Sequence, residues 1–236
     1  KKKKYEKQPA MVAGAFITLG GFVTFTLGSI LTAAGCTITK VIMAFSFASA
    51  LSLVVMAGAE LFTGNNFVMA AASFKKEVSW LDTLKLWVVC YLGNFVGAVI
   101  LVALFQLGGV PKGATGEYFA TIAAGKMGGT ASALFFKGML CNMLVCLAVW
   151  CCTKMKTESG KLIMIFWCIY IFMACGFEHS IANMSVMAVG LLNGAGVEGV
   201  SIAGYFHNLL WVTLGNIAGG ALLVAFPYYI IQKEKK

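Results

Sequence analysis

Gly58-Ala59-Glu60-Leu61-Phe62-Thr63-Gly64-Asn65-Asn66-Phe67-Val68-Met69 recurs as Gly176-Phe177-Glu178-His179-Ser180-Ile181-Ala182-Asn183-Met184-Ser185-Val186-Met187, with Gly, Glu, Asn, Val and Met in register 118 residues apart. Each copy lies inside a long apolar stretch, where an acidic side chain is costly and marks function. A second pair accompanies the first: Leu92-Gly93-Asn94 with Gly97, and Leu214-Gly215-Asn216 with Gly219. Two halves, each with an apolar segment interrupted at the same place, predict a transport pathway at the interface between repeats.

Composition sets the medium. The chain has 236 residues, 60% hydrophobic and only 11% charged, and the charges gather at the ends and between apolar runs. A soluble domain of this size cannot hide so much apolar surface, so the reading is an all-α integral membrane protein that crosses the bilayer several times. The first apolar run is too long for a signal peptide and has no small-residue cleavage pattern, so it is read as a retained transmembrane helix. A net charge of +9 could suggest nucleic acid, but all 18 basic residues are Lys. The bidentate reader of bases and phosphates, Arg, is missing. Eight Cys without a CxxC, and two His, make neither a disulfide framework nor a metal site. No cofactor is expected.

Six apolar segments run at 11–34, 40–72, 86–107, 131–152, 162–192 and 203–231. The second and fifth, as continuous helices, would reach roughly 45–50 Å, well beyond a hydrocarbon core of ~30 Å. Both are therefore predicted to be broken, near Gly58 to Asn66 and Gly176 to Asn183. Unwound backbone at membrane depth survives only where protein or a water-filled cavity satisfies it, so the breaks should line the working site.

Lysines give the orientation. Fourteen lie before the first segment, between the second and third, between the fourth and fifth, and after the sixth. Only Lys40, Lys112 and Lys126 lie on the other side, and Lys137 is inside the fourth segment. The bias predicts both termini in the cytoplasm, hence the cytoplasmic (inner) membrane. Each half has an odd number of spans, so the second is inverted relative to the first. The expected architecture is one domain over 1–236: six transmembrane helices in two inverted three-helix repeats, about 11–107 and 131–231, with 108–130 as an extracytoplasmic connection.

His179, in the second break, is the sharpest candidate for chemistry. As imidazolium it would lower the barrier for an anion, and it could hand that anion a proton; the plainer reading is a hydrogen-bonded structural histidine. Thr63 in the first break either donates to the anion and holds the imidazole or merely caps its helix. Glu60 and Glu178 are expected to accept from freed backbone N–H groups and fix their loops. Asn142 and Asn216, in the fourth and sixth segments, should bond across helices to the broken segments.

Phe47, Leu51 and Val54 or Val55 form a helical stripe leading to the first break, where Leu61 and Phe62 sit; Phe172 and Cys175 lead to His179. Such stripes are ordinarily core or lipid-facing, but leading to a break they fit a hydrophobic constriction. Lys126 either draws anions into an outer vestibule or is a solvated loop lysine, and Lys137 snorkels or pairs with an acid.

At these residues the chain resembles the formate–nitrite transporter family. The resemblance rests on Ala59 to Gly64, Lys137 to Trp150, Gly176 to Met184 and Leu214 to Gly220, in the family's order, and covers essentially the whole chain. It implies a homopentamer of aquaporin-like protomers, each with its own pore, passing formate, nitrite, lactate or hydrosulfide. His179 then matches the central pore histidine and Thr63 the threonine of the first break. Leu61 and Phe62 match the constriction, and Phe47, Leu51, Val145 and Phe172 other pore-wall positions. Lys126 matches the vestibule lysine, Glu178 and Asn183 the neighbours of the histidine, and Asn216 the asparagine of the last span. The overall character looks closer to the hydrosulfide-channel branch.

The expectation is a pore for small monovalent weak-acid anions (hydrosulfide, formate, nitrite), with His179, Thr63, Asn142 and Asn216 at its centre and no enzymatic activity. A neutral-solute channel for water or glycerol is the rival, although the double Asn-Pro-Ala signature is absent. An embedded enzyme would need a second catalytic group near His179, for which only Cys175, Glu178 and Thr63 are at hand.

Overall fold

A computed structural model describes residues 7–234; Lys1 to Lys4, Lys235 and Lys236, part of the charge argument, lie outside them. The described chain is helical and without strands. The elements are α1 (Lys7–Ala33), α2 (Thr39–Met56), α3 (Phe62–Phe74), α4 (Trp80–Leu107), α5 (Ala114–Met127), α6 (Ala131–Lys154), α7 (Glu158–Ala174), α8 (Ser180–Asn193), α9 (Ile202–Ala218) and α10 (Phe226–Glu234), the last two joined by a π-helical turn at Gly219–Ala225. Five helical runs are long and apolar enough to cross a membrane: Gln8–Ala33, Thr39–Met56, Trp80–Leu107, Ala131–Lys154 and Ile202–Glu234. The fifth apolar segment is divided between α7 and α8.

Local sequence explains most helix starts. Ser79, Thr130, Thr157 and Ser201 each cap the following helix by accepting from the backbone N–H three residues on. Both predicted breaks exist, but they are shorter than expected. Non-helical chain covers 57–61 and 175–179, and Asn65, Asn66 and Asn183 are already helical. The reason lies in the partners of the restart. Asn94 Oδ1 accepts from Phe62 N, and Asn216 Oδ1 accepts from Ser180 N, both at 2.9 Å. Gly58 (φ +69°) and Gly176 (φ +72°) take the left-handed turn that ends α2 and α7, a conformation that a Cβ penalises.

The two asparagines do the same work in both halves. Asn94 Nδ2 donates to Glu60 O (3.0 Å) and Ala10 O (2.7 Å), while Asn216 Nδ2 donates to Glu178 O (3.1 Å) and Gly138 O (2.8 Å). The helices carrying them come close through glycine: a Cβ on Gly97 would strike the backbone of Met11, and one on Gly219 that of Met139. In a bilayer, where apolar burial gives no drive for helix association, such small-residue contacts and polar cross-links hold the bundle.

One expectation needs correcting. The stretch 108–130, read as a plain connection, contains α5, whose Phe119, Ala120 and Ala123 are fully buried. Ala123 and the Phe119 carbonyl lie against Gly190 of α8. Short, weakly apolar helices of this kind lack the length signal of a span and read as loop. Its function is positional, since its last turn carries Lys126.

Candidate functional site

The two breaks bring His179 and Thr63 together. His179 is the N-cap residue of α8, and its Nδ1 accepts from Ala182 N at 3.1 Å. With that lone pair engaged, the neutral ring carries its hydrogen on Nε2, which lies 3.0 Å from Thr63 Oγ1. Nε2–H thus donates to Thr63, and the hydroxyl hydrogen of Thr63 is left for another acceptor. An imidazolium would need Nδ1 to give up the α8 cap, so this hydrogen-bond geometry is that of the neutral imidazole. Thr63 holds the imidazole; its hydroxyl does not cap α3, whose N-cap residue is Leu61.

Behind this pair, the backbone is pinned. Asn142 Nδ2 donates to Asn216 O (2.6 Å), Asn66 Oδ1 (3.0 Å) and Thr63 O (3.2 Å). Cys146 Sγ reaches the same Thr63 carbonyl at 3.2 Å. Asn142 and Asn216 are completely buried and bonded to backbone, so they act as scaffold behind the His–Thr pair.

On one side of His179 lies a small cavity of about 20 Å³, room for a single water. Phe25, Phe47, Phe172, Phe177, Asn183 and Lys126 are among the residues around it. The Phe172 ring stacks near His179 (centroids 6.1 Å, 18°), and Phe47 meets Phe172 edge-on at 5.8 Å. Leu51, Leu61, Phe62 and Val145 are buried in the same apolar core but do not line this cavity. Phe62 packs edge-on against Tyr91 of α4. Cys175, expected on the stripe leading to His179, is exposed.

The charged group above the cavity differs from expectation. Glu178 accepts from Lys126 Nζ (2.8 Å) and Asn183 Nδ2 (2.6 Å), so its carboxylate holds side chains and not freed backbone N–H groups. Glu60 likewise accepts from Asn65 Nδ2 at 2.9 Å. The freed amides went to Asn94 and Asn216, whose neutral amides serve them without burying a second pair of charges. Lys126 lies in the last turn of α5 and reaches the cavity beside His179. Its side chain is 18% exposed and paired with Glu178, the one ion pair among the described residues. Lys137 is exposed, and its carbonyl accepts from Glu178 N.

Asn208 of α9 escaped sequence reasoning. Its Oδ1 accepts from Asn183 (2.8 Å) and its Nδ2 donates to Lys126 O (2.8 Å), closing the network from α5 through α8 to α9. The signal was present, a polar side chain deep in an apolar segment.

An all-α bundle with paired broken helices, and a polar pair buried where they meet, belongs to the class of multi-pass membrane transport proteins. Comparison with known proteins gives the family. The family described as "Formate/nitrite transporter" matches residues 8–230. The chain is 40% identical to the nitrite transporter NirC of Escherichia coli (strain K12) over 226 residues, covering 92% of this chain and 80% of NirC. Among solved structures, an "FNT family ion channel" superposes with a TM-score of 0.87 at 36% identity, covering 95% of this chain and 88% of the other. A "Pentameric formate channel with formate bound" gives 0.81 at 28% identity, with 96% of both chains covered. The chain belongs to the formate/nitrite transporter family. These relatives are transporters and channels, and the protein is a transporter rather than an enzyme.

Proposed function

We propose that the chain forms a pore for small monovalent weak-acid anions, nitrite, formate and hydrosulfide, with the His179–Thr63 pair as its central polar site. The observation that carries this reading is the 3.0 Å contact between His179 Nε2 and Thr63 Oγ1, which leaves the threonine hydroxyl free to donate to an arriving anion. The E. coli relative is described as a nitrite transporter and one structural neighbour as a formate channel, which supports this substrate class.

An arriving anion first meets Lys126, and the Lys126–Glu178 pair is a local dipole that an anion can loosen by competing for the ammonium. It then passes the Phe47–Phe172 narrowing, which excludes large or strongly hydrated solutes. At His179 the anion accepts from the Thr63 hydroxyl; it can take that hydroxyl's proton while Nε2–H reprotonates Thr63 and Nδ1, releasing Ala182 N, takes up a proton from water, so the ring stays neutral. Leu51, Leu61, Phe62 and Val145 form the apolar barrier beyond, which the neutral acid crosses more easily than the ion. The chain acts as a single membrane domain of two inverted three-helix repeats, aquaporin-like, with both termini on the cytoplasmic side of the inner membrane. It assembles as a pentamer with one pore in each protomer.

A neutral-solute channel is the second reading. It is favoured by one observation: Lys126 is paired and His179 is set as a neutral ring, so the lining has no net charge. Flux assays in proteoliposomes decide between them. Nitrite, formate or hydrosulfide entry that exceeds chloride and glycerol, rises toward acidic pH, and loses that rise in His179→Phe supports the anion pore. Glycerol or water permeation without anion entry overturns it.

A further inference from the structure

Helix α3 ends in an unusual way. Lys76 N donates to Ser73 O and Glu77 N donates to Ala72 O, both at 3.0 Å, and Lys76 has φ +60°. The same pair of bonds closes α1 at Gly35, α2 at Gly58, α4 at Gly109 and α7 at Gly176, each with positive φ. Glycine fills this position four times because a Cβ there crowds the following carbonyl. At the fifth site the chain keeps a lysine against that penalty, and Lys76 is the one positive-φ residue other than glycine among the described residues. The turn is tied down behind it by the buried Ser73–Thr83 hydroxyl contact at 2.7 Å.

What the lysine faces explains its presence. A cavity of about 310 Å³ opens between the end of α3 and α10, lined by Phe74, Lys75, Lys76, Tyr229, Gln232 and Lys233. Glu77 is the one carboxylate on its wall. Among the described residues none of the three lysines is in an ion pair. The floor is aromatic: Phe74 stacks on Tyr229 (5.8 Å, 27°) and meets Phe226 at 5.4 Å and Trp80 at 5.2 Å. Tyr228 and Trp150, in contact at 4.7 Å, continue the aromatic group, and Lys154 lies over Trp150. Aromatic clusters beside lysines mark the level of the membrane–water interface. The site therefore offers three lysines against one carboxylate, an amide donor and an apolar floor at headgroup depth.

We propose that this pocket binds a phosphate group at the membrane surface, carried either by an anionic phospholipid or by a soluble phosphate. Its chemistry is independent of the pore: the lysines and Gln232 take the phosphate oxygens, and the aromatic floor takes whatever apolar part the phosphate carries.

The test uses the full chain purified in detergent, as wild type, Lys76→Gly and Lys233→Gln. Phosphatidylglycerol, phosphatidylcholine and inorganic phosphate are titrated separately, and the unfolding midpoint is followed. Lys76→Gly removes the Cβ from the left-handed turn, so its midpoint without additive should equal or exceed that of wild type. A midpoint rise with phosphatidylglycerol but not phosphatidylcholine, with apparent affinity about fivefold weaker in each variant, supports a lipid headgroup site. An equal rise with inorganic phosphate, weakened in the same variants, supports the site and assigns it to soluble phosphate. No rise with either phosphate, or a rise that both variants retain in full, overturns the proposal.

Discussion

Thr63 is the residue on which the proposed central site turns, because it both orients His179 and keeps a hydroxyl hydrogen to offer. Thr63→Val keeps the shape and removes the hydroxyl. The loss of one hydrogen bond of about 1–1.5 kcal/mol in the crossing state predicts roughly a tenfold lower nitrite or formate flux, read by stopped-flow uptake into proteoliposomes with assembly checked by size exclusion. Lys126 and Glu178 form a second pair at this scale. Lys126→Met strands a carboxylate that is 9% exposed, and should cost about 2 kcal/mol of stability, below the range for fully buried pairs because the lysine keeps some solvent. Adding Glu178→Gln to Lys126→Met should recover most of the loss. A double variant as unstable as the single one would mean that the lysine stem, and not the charge pair, supplies the stability. The lone buried His and the Glu beside it were readable from the sequence as expensive polar groups at membrane depth. That Glu178 takes Lys126, and that Asn208 completes the network, was not readable, since those partners are 52 residues from Glu178 and 25 from Asn183 in the chain.

Two broken helices at the same place in both halves are the defining elements, and each depends on one asparagine from another helix. Asn94→Ala leaves Phe62 N and Glu60 O without that partner, and Asn216→Ala does the same to Ser180 N and Glu178 O. With about 1–3 kcal/mol for each buried polar group left unpaired, either substitution should cost about 3 kcal/mol and lower the unfolding midpoint in detergent. Hydrogen exchange should localise the opening to 57–61 for the first variant and 175–179 for the second. Exchange spread evenly over the chain in both variants would count against a local capping role. The position of the breaks was legible from segment length and from Gly58 and Gly176, whose left-handed φ needs glycine. Their extent was not. Gly, Asn and Glu counts predicted longer gaps, but the distant asparagine caps let the helices restart at Phe62 and Ser180. Helix α5 was missed for a related reason, since it is held by burial of Phe119 and Ala123 and carries no span-length apolar run of its own.

At the scale of the whole molecule, lysine asymmetry predicts which side faces the cytoplasm. In sealed, right-side-out vesicles an impermeant amine reagent should label Lys40 and Lys112 but not Lys75, Lys76, Lys154 or Lys161 until the membrane is opened; the reverse pattern would invert the proposed orientation. The sequence by itself determined the medium, the number of apolar segments, where two of them break and which family the chain joins. Those properties follow from composition, run length and a repeat, all of which are written along the chain. Only the tertiary structure decided that His179 is held by Thr63 as a neutral ring, that Lys126 is spent on Glu178, and that Asn142 and Asn216 stand behind the site as scaffold. Each of these is a question of which donor meets which acceptor across helices. A buried polar group must find a partner, but its own sequence neighbourhood does not say which one.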